Sequence, residues 1–381
     1  LKEETKMKIA IFSELFWPYV LGGGENRYYQ IAKRLAKNHE VHIYTMKLKE
    51  TKNYEVFENI HIHRIGLLKH PLDKRNLKPL PFYFFSSIFQ ELKNFDVLDC
   101  NTYFPCISGF LKSKIEKIPI IATIHDVYLN MWGESLGKKI FNPIGKFIER
   151  VVCSLPYDKI ITVSSATKDL IIKNFSVDEK RIEIVPNGID IKLIDKIKAK
   201  KKENQICFVG RLVPHKHIED LICAIEIVKK DIPNIKCKIV GGGILKESLE
   251  KMIKRKKLEN NIEILGYKKN YEDVIKIMKE SEILVLPSTR EGFGIVMIEA
   301  MRCKTVPIAY KQEAYKDFCD NKNSILVEER NVKELAKNIK YLLENERIRK
   351  EMAKNGIKTS ERFDWNKITK DIERIYENVV N

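Results

Sequence analysis

Short β-branched apolar runs, each followed by a turn or an amphipathic stretch, recur along the whole of this 381-residue chain. In the first half they read MKIAIFSE, EVHIYTM, IHIHRIG, DVLDCN, IPIIATIHD, KIITVSS and RIEIVPNG; in the second, QICFVGR, IKCKIVGGG, NIEILGY, ILVLPST and TVPIAY. A strand covered on both faces shows a near-continuous apolar run, and parallel neighbours need a crossover between them. The pattern therefore predicts an α/β fold of parallel sheets sheathed in helices. The same grammar restarts after DIKLIDKIKAKKKENQ, residues 190–205, a lysine-rich polar run behind an Asn-Gly turn signal. We expect two Rossmann-like, doubly wound domains, 1–190 and 204–361, facing each other across a cleft, followed by an amphipathic terminal helix over 362–381 anchored by Phe363, Trp365 and Tyr376. Sheets of this kind bind ligands at the carboxyl ends of their strands.

Composition narrows the class. The longest apolar run, LPFYFFSSIF at 80–89, is too short and too mixed to span a bilayer, and no basic-then-apolar leader opens the chain. The eight cysteines form no C-x-x-C pair and no zinc spacing, and several sit inside apolar runs. They read as small buried hydrophobes in a reducing cytoplasm. Net charge is +17, and it is spread: Lys and Arg outnumber Asp and Glu by 28 to 21 up to residue 186 and by 41 to 31 after it. A diffuse positive field suits phosphorylated ligands or an anionic membrane surface. No nucleic-acid-binding signature accompanies it.

Several loops carry phosphate-handling chemistry. GRLVPHKH lies between a strand and the helix pattern IEDLICAIEIVKK. There Gly210 permits a sharp turn, Arg211 offers a planar fork and Lys216 a mobile point charge. Two cations within six residues at a strand end suit a diphosphate; the alternative is a pair of solvated surface charges. In EGFGIVMIEAM, Gly292 and Gly294 flank Phe293, and a helix starts at about Ile295. Its free N–H groups would receive a phosphate or sugar hydroxyls. VGGGILKES reads as a tight strand-to-helix turn and lacks dinucleotide spacing. Gly22, Gly23 and Gly24, before another helix start, are either a structural loop or backbone facing a ligand.

His125 ends the strand IPIIATIHD and so reaches the mouth of a doubly wound sheet. His61 and His63 share one face of IHIHRIG, without a third ligand spaced to complete a metal site, so a solvated strand face is expected. No serine elbow, P-loop or H-E-x-x-H is present. Glu291 and Glu299 suggest a glycosidase pair, but such carboxylates must flank a bond about 5 to 9.5 Å apart. Both instead border a helix start that favours an anion or a hydroxyl-rich ligand. They read as two acceptors along one extended ligand.

Taken in order, the glycine loop at 22–24, TIHD at 123–126, PNGID at 186–190, GRLVPHK at 210–216, GY at 266–267 and EGFGIVMIEAM at 291–301 resemble the retaining glycosyltransferases of the two-domain GT-B fold, family 4. The resemblance covers nearly the whole chain and implies a terminal helix crossing back to the N-terminal domain. It implies a C-terminal domain that binds a nucleotide-diphosphate sugar and an N-terminal domain that binds the acceptor. By similarity Arg211 and Lys216 grip the diphosphate, with backbone support around Gly210, Gly292, Phe293, Gly294, Ile295 and Val296. Glu299 matches the residue that holds the ribose hydroxyls and Glu291 the one that holds the donor sugar. Gly23, Gly24, Gly266 and Tyr267 match further donor contacts, and His125 matches the histidine that contacts the sugar at the reacting centre. The resemblance implies transfer of a hexose with retention, and neither cofactor nor metal. Two segments depart from the family pattern: AYKQEAYKDF replaces the usual Gly-Gly-x-x-Glu loop, and GGGILKES the usual Gly-Asp/Glu-Gly-Pro turn.

The acceptor stays open among a glycan, a lipid-linked sugar and a small molecule. Residues 69–93, KHPLDKRNLKPLPFYFFSSIFQELK, combine basic residues with an aromatic-rich helix pattern. They suit an interfacial segment at the inner face of a membrane, or a loop followed by a core-facing helix. A cytoplasmic enzyme, with peripheral membrane contact as a variant, is the expected setting. A sugar-nucleotide epimerase on the same scaffold and a non-catalytic carbohydrate-binding protein are the competing readings.

Overall fold

The computed structural model describes residues 6–18, 23–70, 78–129, 132 and 142–381. Two compact units divide the chain: Leu1–Asn187 together with Trp365–Asn381, and Gly188–Asp364.

The first unit is built on strands β1 (Lys8–Ser13), β2 (Glu40–Leu48), β3 (Tyr54–Phe57), β4 (Ile60–His70), β5 (Val97–Asn101), β6 (Ile120–Ile124), β7 (Lys159–Thr162) and β8 (Ile182–Ile184). They form one sheet in the order β3-β4-β2-β1-β5-β6-β7-β8. β3 alone runs antiparallel to its neighbour. No apolar run marks β3, because it is an edge strand with Tyr54 and Val56 turned to solvent. Helices α1 (Gly23–Leu35), α2 (Leu80–Ile88), α3 (Phe104–Glu116), α4 (Asn142–Ser154) and α5 (Ser165–Phe175) cover the sheet.

The chain's last helix belongs to this unit. Trp365, Ile368, Ile372, Ile375 and Tyr376 lie in one apolar cluster with Ile9 and Ile11 of β1 and Tyr28 and Ile31 of α1. A polar pin adds to that packing. Asp99, buried in β5, accepts hydrogen bonds from the Tyr28 hydroxyl at 2.8 Å and the Tyr376 hydroxyl at 2.5 Å. Burial pushes the Asp99 carboxyl up, and the two phenols oppose that shift by stabilising its charged form.

The second unit has strands β9 (Gln205–Val209), β10 (Lys236–Val240), β11 (Ile262–Gly266), β12 (Ile283–Leu286), β13 (Val306–Tyr310) and β14 (Ile325–Val327), in the order β11-β10-β9-β12-β13-β14 and all parallel. Counted within the unit this is 3-2-1-4-5-6, the doubly wound order, whose switch point falls between β9 and β12. In the first unit the corresponding reversal lies between β1 and β5.

The polar run at 190–205 is more ordered than a linker. Helix α6 (Ile191–Lys196) forms there, capped by the Asp190 carboxylate on the Leu193 N–H at 3.0 Å and held by buried Ile194. Asp195 accepts from Arg302 Nε at 2.8 Å, and Lys201 Nζ donates to Thr305 Oγ1 at 2.7 Å. Lysines hide the run's amphipathic character, which docks it on the second unit. All eight cysteines are free and six are buried, so they serve as small core hydrophobes. Among the described residues no helix is long and apolar enough to cross a membrane.

Candidate functional site

The carboxyl ends of β9 and β12 carry the charged candidates of the second unit. Residues 210–213 leave β9, and a single 3-10 turn, Pro214–Lys216, raises Lys216. His217, in the left-handed region at φ 43°, then starts helix α7 (Ile218–Val228). Residues 241–243, which lead into helix α8 (Lys246–Arg255), back this loop. Gly241 has φ 140°, and a Cβ there would lie 1.8 Å from the Gly210 carbonyl oxygen, so only glycine lets the two backbones touch. Gly210 N–H donates to Val240 O at 3.0 Å and Leu212 N–H to Gly242 O at 2.9 Å. The triple glycine is thus a brace for the Arg211 loop.

Thr289, which sequence reasoning did not single out, joins the loops after β9 and β12. Its N–H donates to His215 O at 3.0 Å, and its hydroxyl lies 3.0 Å from His217 Nε2. This stitch brings together Lys216 and Glu291, 75 positions apart, as an ion pair in which each side chain is only 13% exposed. The pairing refines the sequence reading, in which the two gripped different parts of a ligand. His215 beside them is held neutral, its pKa pushed down to about 4 by burial and then by the Lys216 charge. Arg211 is exposed, and its guanidinium is open to an anion.

Helix α10 (Ile295–Arg302) starts at Gly294, which has φ 84°. A Cβ there would meet a Tyr315 ring carbon at 2.4 Å, so the position needs glycine for two reasons. Tyr315 comes from AYKQEAYKDF, so this departing segment walls the start of α10. Phe293 is buried against Phe318 and Phe363, with ring centroids 5.4 and 5.7 Å apart. Its side chain anchors the loop and only its backbone is available to a ligand. Glu299 lies a turn further along α10, where burial pushes its pKa up to about 7. The Tyr271 hydroxyl donates to its Oε1 at 2.6 Å. Gly266, at φ 70°, ends β11, and the following Tyr267 is 63% exposed beside the 241–243 loop.

The first unit carries its own constellation at the switch between β1 and β5. Ser13 and Asn101 are register partners at the ends of those strands. Asn101 Nδ2 donates to Ser13 Oγ at 3.0 Å, which leaves Asn101 Oδ1 to accept from His125 Nε2–H at 2.9 Å. That fixes the tautomer, with Nδ1 carrying the lone pair. Burial, helped by Arg27, lowers the His125 pKa to about 3, so the ring is neutral at physiological pH. The backbone at Gly24 approaches it closely, since a Cβ there would lie 3.4 Å from His125 Nε2. Gly23 has open space, and Gly22 lies outside the described residues. Arg27, buried in α1, donates to Pro186 O at 2.7 Å and Asn187 Oδ1 at 3.1 Å, which holds the start of PNGID.

His61 and His63 do not form a solvated face. Both are partly buried and stack with His42 at 4.4 and 5.2 Å between centroids, and His42 Nδ1 lies 2.9 Å from His63 Nε2. Burial lowers the His63 pKa to about 4. Among the described residues no cluster of three or more His, Cys, Asp or Glu side chains has metal-binding geometry.

Two family models cover most of the chain. Residues 190–359 match the glycosyl transferases group 1 model and residues 21–193 the Glycosyltransferase Family 4 model. The chain belongs to this glycosyltransferase family. An uncharacterised glycosyltransferase of Methanocaldococcus jannaschii is 29% identical over 375 residues, spanning 97% of this chain and 98% of the relative. Among solved structures, sucrose-phosphate synthase from Thermosynechococcus elongatus superposes with TM-score 0.84 at 19% identity, covering 98% of this chain and 99% of the other. Anabaena HepE, solved in complex with UDP-glucose, gives TM-score 0.78 at 20% identity, with 98% and 100% coverage. These two likenesses establish the fold, and the family match establishes a transferase.

Proposed function

We propose that this glycosyltransferase moves a hexose from a UDP- or GDP-sugar to its acceptor with retention of anomeric configuration. One observation carries the reading: Lys216 and Glu291 pair where the loops after β9 and β12 meet at the switch point of a single sheet, with Arg211 on the first loop and Glu299 on the helix that follows the second. In this reading Arg211, Lys216 and the α10 N–H groups neutralise the diphosphate, the largest charge that develops as the sugar–phosphate bond breaks. They do the work a metal would otherwise do. Glu299 accepts from the ribose hydroxyls and Glu291 from those of the sugar. His125, neutral and with its Nδ1 lone pair free, accepts from a sugar hydroxyl. The bond from C1 to the phosphate oxygen breaks and one from C1 to the acceptor oxygen forms on the same face. The acceptor's proton passes to the departing diphosphate. That HepE binds UDP-glucose supports a nucleotide-sugar donor of this kind.

A thermal-shift screen of UDP-, GDP- and ADP-sugars tests the donor. A ligand that binds only the native state at about 100 times its Kd contributes about 2.7 kcal/mol, a shift of several degrees. One nucleotide class should stabilise the wild type and fail with Lys216→Ala. No shift with any of them overturns the reading, and isomerisation of donor sugar without acceptor would favour an epimerase.

For the acceptor we infer a lipid-linked molecule met at an anionic bilayer, the charge character of the cytoplasmic leaflet. The carrier of this inference is a set of uncovered apolar side chains on three neighbouring elements. Leu67 of β4 is 77% exposed, Phe85 of α2 60%, Phe89 just after it 82%, and Ile115 of α3 64%. Exposed Lys69, Lys114 and Lys117 lie among them. Helix α2 buries Leu80 and Tyr83 yet turns Phe82 and Phe85 outward, so it is only partly core-facing. Residues 71–77 of the same stretch lie outside the described residues. Aromatic groups with cations suit an anionic interface, whereas the net charge of +17 opposes pairing of two copies. Phosphatidylglycerol vesicles should retain the wild type at low salt and lose it at high salt. Phe85→Ser combined with Phe89→Ser should abolish retention, and an unretained wild type would end the inference.

A further inference from the structure

Tyr271 is used by no reading of the sequence, yet among the described residues it makes the side-chain contact that opposes desolvation of Glu299. Its helix, α9 (Tyr271–Glu280), begins with an Asn270 cap whose side chain accepts from the Glu272 N–H at 3.0 Å. The cap pins the first turn, and the phenol reaches across to α10, donating to Glu299 Oε1 at 2.6 Å. That length is typical of a charge-assisted O–H···O bond.

We propose that Tyr271 is a positioning residue for the nucleotide grip: its hydroxyl clamps one oxygen of Glu299, keeps the carboxylate in its acceptor-only form, and leaves the other oxygen for the ligand. The proposal rests on the reading that Glu299 holds the ribose hydroxyls. Two hydroxyls that both donate need an ionised carboxylate, because a carboxylic acid gives up an acceptor site and becomes a donor. Burial works against that form, having raised Glu299 to about 7, and the Tyr271 bond is the contact that lowers it. Cys303 and Asp190 are the other titratable groups whose fields reach the pair at Tyr271, and neither supplies a positive charge. The phenol itself stays protonated, because burial and Glu299 push it well above its usual value.

The sign of the pH effect follows. Removing the hydroxyl raises the Glu299 midpoint, so affinity lost through protonation is largest near pH 6.5 and returns by about pH 9. Losing a hydrogen bond to a charged group moves such a midpoint by about one to two pH units. The experiment follows the Glu299 carboxyl by carbon NMR, assigned through Glu299→Gln, in wild type and Tyr271→Phe. It also measures UDP-glucose affinity at both pH values, since that diphosphate does not titrate between them. We expect the midpoint of Tyr271→Phe to rise by about one unit or more, with roughly tenfold weaker UDP-glucose binding at the lower pH and near wild-type binding at the higher. An unmoved midpoint, or the same fold loss at both pH values, overturns the proposal and leaves Tyr271 a packing residue. A shifted midpoint with UDP-glucose affinity indifferent to Glu299→Gln leaves the clamp standing and removes the ribose assignment instead.

Discussion

Lys216→Ala should lower the rate of sugar transfer by roughly 100- to 1,000-fold, the cost typical of removing one preorganised group that stabilises developing charge. The ammonium sits on a 3-10 turn braced by residues 241–243 and by Thr289, so little reorganisation is needed when the diphosphate arrives. The substitution also strands Glu291, whose carboxylate would stand beside the incoming diphosphate without its cation. Repulsion then adds to the lost attraction, and Lys216→Met should behave like the alanine variant. Steady-state transfer from the donor identified by thermal shift is the measurement. A loss below about fivefold would show that Arg211 and the helix end suffice for the leaving group.

Glu291→Gln and Glu299→Ala should separate nucleotide binding from turnover. Glu291 pairs with Lys216, so its carboxylate competes with a diphosphate for the ammonium. Glutamine keeps the shape and drops the charge, which leaves UDP affinity unchanged or several-fold tighter. Transfer should nevertheless fall by about two orders of magnitude, because hydroxyl contacts that strengthen in the transition state are lost. Glu299→Ala should instead weaken UDP by tenfold or more, consistent with losing charged hydrogen bonds worth about 1.5–3 kcal/mol each. Calorimetric titration with UDP, set beside kcat for each variant, checks the division. Equal loss of UDP affinity in both variants would refute it.

The parts of the candidate site in the second unit that were legible are local. Gly294 announces a helix start through a backbone conformation that side chains avoid, and GRLVPHK announces a strand-end loop through its spacing. The second sheet's apolar runs were equally plain, since strands buried on both faces carry an unbroken signal. What escaped was whatever depended on two distant segments meeting. β3 was missed because an edge strand shows only alternation, and α6 because its apolar residues are scattered among lysines. The histidines of β4 were misread because their neighbour His42 sits on another strand.

By itself, then, the sequence determined the α/β class, the repeated strand-to-helix grammar and the chemical kinds of group offered at the strand ends. Each of these rests on periodicity or backbone preference within a dozen residues. Only the tertiary structure decided which groups are partners. Lys216 pairs with Glu291 across 75 positions, Tyr271 with Glu299 across 28, Asn101 with His125 across 24, and Asp99 with Tyr376 across 277. Hydrogen bonds act over about 3 Å, whereas a residue's neighbours at that range are set by strand order and register. No local pattern encodes those, and they are what turn a set of polar residues into a site.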